Sequence, residues 1–495
     1  MGNDNGKSMG NSMKATRERE LKFKFPPGFQ LPVLPGQTCQ RRILTSTYYD
    51  TTDHQLGRLG ITLRRRVEQS KGLWQLKLPS GTARLELEIP GGPGKLPSEF
   101  RNLLFALQSK GELIPLAKLR TERLRFLVRR DEKTLAEITR DSVVLLDGRR
   151  IRRRFVEGEV ELMEGNEHDL QWIQHTLQDA GAQVGDSRPK LFKALDLAYP
   201  EILPQVDPAA PPQDHMKAML EQQVREIRLY DPGTRLGKDP ENLHQMRVAT
   251  RRFRSILRAA RPMLIPEWAQ TLRSELAWLG GILGAVRDLD VLLEDLQHEA
   301  ISLGPSEQKV FELLLRSFDS QRSILQNSLL EGLRSDRYLQ LLNRIEKASI
   351  QPPFVDTHVM LQEIAAKEFR KLRKALKHLT PHSSDEDLHR LRTRTKRARY
   401  AAELAERSVG KPASRFIHEI KAFQTLLGKH QDAVMAEQRL RERIRSSRSI
   451  STGLAVGQVI ERLRTRRQQA REALPKFLGK LQKKGKKAWH LNGGA

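Results

Sequence analysis

The sequence predicts an α+β protein in two parts, an antiparallel β-sheet or barrel followed by an all-α, duplicated helical bundle. Short runs that alternate polar and apolar residues fill residues 14–198, which we take as the first domain. A proline-rich stretch at 199–215, YPEILPQVDPAAPPQDH, then interrupts every periodic pattern and indicates a linker. Beyond it, long stretches of helical period occur in two similar copies.

The composition excludes several classes of protein. A single cysteine, Cys39, rules out an internal disulfide framework and a cysteine-rich zinc or iron–sulfur site. No apolar run approaches the roughly 18 residues of a membrane span. The polar N-terminus, MGNDNGKSMG, lacks the apolar region of a secretory signal. With a formal charge of +27, of which residues 1–205 carry +8, we expect a cytoplasmic protein with a polyanionic partner.

The first part of the chain reads as a series of strands. The runs with a period near two are ERELKFKF, GITLRRRVEQ, GLWQLKLP, ARLELEIP, LAEITRDSVVLL and EGEVELME. Glycine and proline separate them, as in PGGPGKLPS at 90–98. This spacing favours an antiparallel sheet or barrel over a βαβ fold.

Charged residues recur on these strands at positions two apart, where they share one face. A solvated face explains any one set. Taken together, the sets favour a barrel whose interior holds a divalent cation on carboxylates and oxyanions on basic groups, because unpaired buried charge is costly. The sets are Glu18, Glu20 and Lys22; Arg64 and Arg66; Lys77; Arg84, Glu86 and Glu88; Lys118 and Arg120; and Glu159 and Glu161.

Two motifs of this region resemble those of a known family. ERELK, from Glu18 to Lys22, matches the ExExK signature of the CYTH, or triphosphate tunnel metalloenzyme, family. YYDTTDHQL followed by GITLRRR is similar to the family's next stretch, except that Thr52 replaces a common proline. The resemblance extends from about Lys14 to Leu195. It implies an eight-stranded antiparallel tunnel that uses Mg²⁺ or Mn²⁺ to hydrolyse inorganic or thiamine triphosphate, or to cyclise ATP.

The resemblance also implies roles for individual residues. Metal ligands would be Glu18, Glu20, Glu159 and Glu161, and the catalytic set would be Glu18, Glu20, Lys22 and Lys190, with water activation an alternative role for Lys190. Asp141 and Glu122 are further candidate acids. The triphosphate would be held by Lys22, Arg64, Arg66, Lys77, Lys118, Arg120, Arg123 and Lys190, although KLRTER aligns in more than one register.

Which triphosphate binds depends on whether an aromatic ring is available for stacking. Trp74 is the one clear aromatic candidate near a motif, and we interpret it as a core residue. The sequence therefore favours inorganic triphosphate. Adenylyl cyclase and thiamine triphosphatase activities remain alternatives for the tunnel.

The second part of the chain contains an internal repeat. LHQMRVATRRFRSIL from Leu243 is similar to LHRLRTRTKRARYAA from Leu388, and LGAVRDLDVLLEDL from Leu283 to LGKHQDAVMAEQRL from Leu427. The two offsets, 145 and 144 residues, agree closely enough to predict a duplicated helical bundle over 216–480, with repeats at about 216–345 and 354–480. A basic tail at 481–495 would follow, which we expect to be disordered.

Basic residues form a stripe on one helix of each repeat, because their spacing of three and four residues keeps them on one face. Interleaved acids would mark an ordinary solvated face, and here they are missing. An anion on the stripe would relieve the repulsion. The first stripe is His244, Arg247, Arg251, Arg254 and Arg258; the second is His389, Arg392, Lys396 and Arg399, ending at Glu403.

This half resembles the CHAD domain, a conserved-histidine α-helical domain, and the resemblance implies two four-helix repeats. The resemblance rests on HQMRVATRRFR and LGAVRDLDV and implies binding of inorganic polyphosphate, with Asp288 and Asp290 bracing the bundle. Arg225, Arg228, Lys367, Arg370, Lys371 and Lys374 would extend the surface.

We therefore expect a metal-dependent inorganic triphosphatase joined to a polyphosphate-binding domain, in the cytoplasm or on polyphosphate granules. A catalytically silent polyanion-binding protein is the alternative from another class. We expect no specific nucleic-acid partner, because aromatic residues make up only 5% of the chain and do not interleave the basic stripes.

Overall fold

A computed structural model describes residues 13–81, 83–107, 111–198, 203, 205–380, 382–445 and 449–490. The chain divides into two compact units, Met1–Ile202 and Leu203–Ala495. The boundary falls in the proline-rich segment predicted as a linker, of which 199–202 and 204 lie outside the described residues. The linker is shorter than predicted, because a helix already begins at Pro212 and His215 is buried. No helix in the described ranges combines the length and apolarity that crossing a membrane requires.

The first unit is one antiparallel sheet with four short helices. Its helices are α1 (Gln55–Arg58), α2 (Ser98–Leu103), α3 (Glu167–Asp179) and α4 (Lys190–Leu195). Its strands are β1 (Lys14–Glu18), β2 (Glu20–Lys24), β3 (Gly36–Asp50), β4 (Thr62–Glu68), β5 (Lys71–Ser80), β6 (Ala83–Pro90), β7 (Ile114–Arg130), β8 (Lys133–Asp147), β9 (Arg150–Leu162) and β10 (Gln183–Val184).

The eight-stranded closed tunnel expected from the family resemblance is wrong in two respects. In the described part of the chain the sheet has ten strands, in the order β1-β6-β5-β4-β3-β7-β8-β9-β2-β10, and it does not close. The count rises because the first strand is divided at Arg19. Its first half, β1, pairs with β6, and its second half, β2, pairs with β9. The two-residue strand β10 adds one more ladder.

The two faces of the sheet have different surroundings. On the outer face, α3 packs Leu170 and Ile173 against strand residues that include Phe23 and Val160. The charged residues of the predicted sets, except Lys118 and Arg120 on β7, alternate with these and point to the inner face, as the pleat requires. The helix α4 covers one end of that inner face, where Leu191, Phe192 and Ala194 meet Tyr48, Leu119 and Val143.

The second unit consists of long helices. Five of the described helices fall in the first repeat and four in the second, so the prediction of four helices per repeat is wrong for the first. The helix α13 packs against α8, through Val456 and Val459 on the one side and Phe311 and Phe318 on the other. The helices are α5 (Pro212–Leu236), α6 (Pro240–Ala259), α7 (Pro266–Ala300), α8 (Pro305–Arg334), α9 (Asp336–Ile350), α10 (Leu361–Lys377), α11 (Asp385–Val409), α12 (Lys411–Ile444) and α13 (Ile450–Ala488).

The prediction that the tail is disordered is wrong for residues 481–490. The helix α13 continues through Ala488, and Leu481 and Trp489 are buried. The Trp489 ring lies edge-on to Phe416, with 5.7 Å between ring centroids. This apolar contact stabilises the helical conformation of the lysine-rich segment, whose lysines lie on the other side of the helix. Residues 491–495 lie outside the described part of the chain.

Candidate functional site

The inner face of the sheet carries a buried cluster of three carboxylates around Lys190. The Lys190 Nζ lies 3.0 Å from Asp141, 2.5 Å from Glu157 and 2.8 Å from Glu159. Burial disfavours the charged ammonium, but the three carboxylates outweigh it and hold the pKa of Lys190 well above its ordinary value. Lys190 is therefore held as a cation among these three carboxylates.

Three more cations contact the same cluster, one of which, Lys193, donates to Glu157. Arg123 donates two hydrogen bonds to Asp141, of 2.8 and 2.6 Å, and one of 3.2 Å to Glu159. Lys22 donates to Glu159 at 2.8 Å. One oxygen from each of Asp141, Glu157 and Glu159 lies within 4.8 Å of the others, so the cluster has the spacing of a metal site. Its charge is already balanced by Lys190, Arg123 and Lys22.

A second group of carboxylates, Glu18, Glu86 and Glu161, carries uncompensated negative charge. Lys77 lies 2.5 Å from Glu18 and 3.4 Å from Glu86. Burial, together with the charges of Glu18 and Glu86, raises the pKa of Glu161 to about 7. Burial and a hydrogen bond shared with Glu86 raise the pKa of Glu18. The Glu86 Oε1 is buried and has no hydrogen-bond partner in the described part of the protein.

The arginines of β4 lie beside this second group. Arg64 donates from Nε to Gln75 at 2.8 Å and from Nη1 to the Tyr48 hydroxyl at 3.0 Å, and these bonds fix its guanidinium. Burial and the neighbouring guanidinium groups of Arg64 and Arg123 lower the pKa of Arg66. Cations that repel one another in this way would be stabilised by a polyvalent oxyanion between them.

The prediction that Lys118 and Arg120 hold the triphosphate is wrong. On β7 the odd-numbered residues, including Leu119 and Arg123, face inward. Lys118 and Arg120 are therefore on the outer face, and both are exposed. Glu122 shares that face, where it pairs with Arg41 at 2.8 Å, so it is not an inner-face acid.

The remaining predicted residues of the first unit can be placed individually. Glu20 lies directly opposite Glu161 on the neighbouring strand. Trp74 is only 2% exposed, and its indole nitrogen donates to the Gly92 carbonyl at 3.3 Å, which makes it a core residue as expected. Sequence reasoning missed several inner-face groups, among them Glu157, Gln75 and Glu137. The alternation in EGEVELM already includes Glu157, whereas no sequence signal distinguishes Gln75.

In the second unit, the two motifs of each repeat meet across neighbouring helices. Arg247 on α6 lies 3.1 Å from Asp288 on α7. A Cβ added at Gly284 would lie 3.3 Å from the Arg247 Nε, so glycine leaves room for this side chain. The second repeat has the corresponding arrangement, in which a Cβ at Gly428 would lie 3.9 Å from Arg392. Glycine therefore makes room for the arginine at Gly284, whereas 3.9 Å at Gly428 is an ordinary van der Waals distance.

Basic side chains from the two repeats form one cluster, which we call the central cluster: Arg247, Arg251, Arg392 and Lys396. Arg251 donates to the hydroxyl of Tyr400 on α11 at 3.0 Å, which joins the repeats. Burial and the charges of Arg392, Arg251 and Arg247 lower the pKa of Lys396 to about 7. The only acid among the main influences on Lys396 is Asp432, and it does not offset the three arginines. An anion would relieve this repulsion.

A second group of arginines continues from the end of α6. Arg254 and Arg258 are exposed there, and Arg273 and Arg397 join them. Burial and the charges of Arg397 and Arg273 lower the pKa of Arg258. The Nε atoms of Arg273 and Arg397 are buried without a hydrogen-bond partner in the described ranges. Sequence reasoning missed these two because they lie outside the repeated stripe positions.

Other predicted residues of the helical unit are less suited to bind an anion. Arg399, predicted to bind polyphosphate, is 3.0 Å from Glu403 and donates to Gln424 at 2.9 Å, so its charge is already paired. Arg228 pairs with Glu346 at 2.7 Å inside the bundle, so it does not extend the surface. His389 is exposed, with its Nδ1 3.0 Å from Gln431.

The motifs found in the two units match known family models. A model of the CYTH domain matches residues 16–192 and a model of the CHAD domain matches residues 218–441. An uncharacterised protein of Mycobacterium tuberculosis is 30% identical over 479 residues, which cover 90% of this chain and 91% of that protein. The chain belongs to the family that joins a CYTH domain to a CHAD domain.

Solved structures are similar to the separate domains. PptA from Streptomyces chartreusis is 21% identical with a TM-score of 0.46, over 54% of this chain and 98% of that one. The CHAD domain of Ricinus communis is 24% identical with a TM-score of 0.41, over 59% of this chain and 96% of that one. CYTH domains are metal-dependent and belong to the triphosphate tunnel metalloenzyme superfamily, which includes triphosphatases and cyclases.

Proposed function

We propose that the CYTH domain hydrolyses inorganic triphosphate with the help of a divalent metal ion. The observation that carries this proposal is the inner face, where fixed cations stand beside a group of carboxylates with excess negative charge. Phosphoryl transfer needs the charge of the phosphate chain neutralised and the chain held in line with the attacking water. Cations on one side and a metal-binding acid group on the other supply both requirements.

The phosphates would be held by Arg64, Arg66 and Arg123, with Lys77 and Lys22 at either side. Arg64 and Arg66 are two residues apart on one strand, and their planar groups suit bidentate contacts with phosphate oxygens. Arg64 is held by Gln75 and Tyr48, so little conformational freedom is lost when it binds. No nucleophilic side chain is required for this reaction, because water attacks directly.

The metal, Mg²⁺ or Mn²⁺, would be held by Glu18, Glu86 and Glu161, with Glu20 next to them. The Glu86 Oε1, which accepts no hydrogen bond from the described residues and has Lys77 at 3.4 Å, and the raised pKa of Glu161 both favour a further cation there. The cluster of Asp141, Glu157 and Glu159 is a poorer fit, since Lys190 would have to be displaced. Glu159, a ligand expected from the family resemblance, would instead hold Lys22 and Arg123 in position. The bound metal supplies charge neutralisation of the phosphate oxygens.

The test is phosphate release from inorganic triphosphate with Mg²⁺ or Mn²⁺, comparing wild type with the double variant Glu18→Ala, Glu20→Ala. We expect metal-dependent turnover in the wild type and a loss of about 100-fold or more in the variant. The matched control is Lys118→Ala, which removes an exposed outer-face charge and should leave turnover unchanged. Turnover unaffected by the double variant, or cyclic AMP from ATP with no phosphate release from triphosphate, would contradict the proposal.

We further propose that the CHAD domain binds inorganic polyphosphate through the central cluster and the arginine group at the end of α6. The crowding of cations in both places supports a closely spaced polyanion. The test is polyphosphate binding by wild type and by Arg251→Gln, Arg392→Gln, at fixed salt because affinity for polyanions depends on it. We expect weakened binding, with Arg334→Gln, an exposed position on α8, as control. Preference for DNA over polyphosphate at equal charge would contradict the proposal.

A further inference from the structure

Lys396 lies among the arginines of the central cluster. On α11 it follows Arg392 by one helical turn and precedes Tyr400 by one turn, so the three side chains share a face. Arg251 of α6 donates to the Tyr400 hydroxyl at 3.0 Å and therefore reaches this face from the other repeat. Arg247 precedes Arg251 by one turn on α6 and lies on the same side of that helix. Three guanidinium groups on two helices therefore act on one lysine.

Lys396 lacks a carboxylate partner that would hold it as an ammonium. It forms no ion pair within the described part of the chain, and Asp432 on α12 is the one acid among the main influences on it. Burial and the three guanidinium charges lower the pKa of Lys396 to about 7. A lysine at its ordinary pKa of about 10.4 has about one part in a thousand or less of neutral amine at neutral pH, whereas Lys396 has a large share. The neutral amine is the nucleophilic form of the side chain.

The three arginines can bind the phosphate group of a ligand without a further cation. The Nε atom of Arg392 is buried and has no hydrogen-bond partner in the described ranges. Arg251 contacts Tyr400 through Nε, so its terminal nitrogens remain for an anion. Arg247 pairs with Asp288, whose side chain is 69% exposed, and exposed pairs of this kind contribute little. The combined charge of the arginines exceeds the roughly two negative charges of a phosphate group.

The ligand that suits a phosphate-binding group of arginines beside a neutral amine is an acyl phosphate. Its carbonyl carbon is joined to the phosphorus through one oxygen atom, so a phosphate on the arginines brings this carbon close to Lys396. Chains of phosphates have no such carbon, and a thioester has no phosphate attached to its carbonyl group. Amines react with acyl phosphates at the carbonyl carbon, with phosphate as the leaving group.

We propose that Lys396 is a site of covalent acylation by acyl phosphates, whose phosphate group binds Arg247, Arg251 and Arg392. The amine nitrogen attacks the carbonyl carbon, a C–N bond forms, and the C–O bond to the phosphate breaks. Phosphate leaves with the electron pair of that bond and takes up the proton that the nitrogen loses. The product is an uncharged acyl-lysine. Because one cation of the central cluster is removed, acylation should also weaken polyphosphate binding, and this consequence alone rests on the proposed function of the CHAD domain.

The test treats the full chain with acetyl phosphate at neutral pH and follows the acetylated fraction of each lysine by mass spectrometry. We expect Lys396 to react at least about tenfold faster than Lys377, an exposed lysine of α10 without an ion pair in the described ranges. The gain is smaller than the ratio of neutral amine, because a less basic nucleophile is also less reactive. Excess inorganic phosphate should occupy the arginines and slow only Lys396. Equal rates at the two lysines would overturn the inference.

Two matched variants test the role of the arginines. Arg251→Gln, Arg392→Gln should slow acetylation of Lys396 about fivefold or more, because phosphate contacts are lost and the repulsion that keeps the amine neutral is weakened. The control, Arg334→Gln, Arg415→Gln, removes two exposed arginines of α8 and α12 and should leave the rate unchanged. The phosphate competition needs no substitution, so it stands even where a variant folds poorly. Acetylation that neither excess phosphate nor the first variant slows would overturn the proposed phosphate contacts.

Polyphosphate binding after acetylation separates this inference from the proposed function. We expect the affinity of the wild type to fall about threefold as one phosphate contact is lost. Lys396→Arg, which keeps the charge and cannot be acetylated at this position, should retain its affinity through the same treatment. An equal loss in both proteins would contradict the consequence drawn for Lys396. Fast acetylation of Lys396 in a protein that binds no polyphosphate would overturn the proposed function and support this inference.

Discussion

Replacing Lys190 by methionine should destabilise the CYTH domain severely, because it removes the cation that contacts three buried carboxylates. Its ammonium is within 3.0 Å of Asp141, Glu157 and Glu159. Removing one partner of a buried ion-pair network costs about 3–5 kcal/mol, since the remaining charges stay buried without compensation. We expect the lower part of that range, because Arg123, Lys22 and Lys193 still contact the same carboxylates.

The sign of the pH dependence follows from the same contacts. Burial alone would raise the pKa of Glu159, but Lys190, Lys22 and Arg123 outweigh it and hold this pKa well below the ordinary value. A carboxylate with a depressed pKa contributes stability that is full above its unfolded-state pKa and lost as the pH falls. The deficit of Lys190→Met should therefore be largest at neutral pH and shrink below about pH 4.5, the ordinary pKa of glutamate.

The assay is amide hydrogen exchange of peptides from β8 and β9, read by mass spectrometry. It reports opening of the CYTH sheet separately from the helical domain. The matched control is Lys118→Met, which removes an exposed lysine that forms no ion pair within the described ranges and should leave exchange unchanged. A deficit in Lys190→Met below about 1 kcal/mol at neutral pH would refute the reasoning, because it falls in the range of exposed ion pairs.

Three further predictions concern the CHAD domain. The pKa of Lys396 is lowered to about 7, so binding of polyphosphate should take up a proton, and the affinity should fall from pH 7 to pH 9. Calorimetry in buffers of different ionisation enthalpy measures the proton uptake, which Lys396→Arg should reduce. Gly284→Ala should displace Arg247 and weaken polyphosphate binding by about 1 kcal/mol, roughly fivefold, with an unchanged circular dichroism spectrum; unchanged affinity would contradict the packing argument. Trp489→Ala should lower the stability of the helical domain by about 3–5 kcal/mol in thermal unfolding, whereas an exposed tail would tolerate it.

Strand periodicity accounts for most of what the sequence predicted about the CYTH domain. The i, i+2 pattern puts Glu18 and Lys77 on the inner face, and the structure has them there. The same pattern cannot resolve KLRTER, because basic residues occupy both parities of that strand. Arg123 faces Asp141 in the register of β7 with β8, and that register depends on long-range pairing rather than on local sequence.

Which charged residues contact one another could not be predicted from the sequence for a related reason. Glu159 was assigned to the metal from its residue type and motif. In the folded domain Lys190, 31 positions away, contacts it at 2.8 Å and competes for that role. Likewise, the lysine-rich end of α13 has the composition of a solvated tail, and only the contact of Trp489 with Phe416 reveals its packing. The role of Glu159 and the packing of this helix end both depend on tertiary contacts between distant parts of the chain.

The most direct test of the account is diffraction from crystals grown with manganese and a non-hydrolysable triphosphate analogue. We predict an anomalous manganese peak on the carboxylates of Glu18, Glu86 and Glu161, with phosphate density against Arg64, Arg66 and Arg123. Manganese among Asp141, Glu157 and Glu159 with Lys190 displaced would contradict the assignment of the metal site. Triphosphate density outside the inner face would contradict the account as a whole.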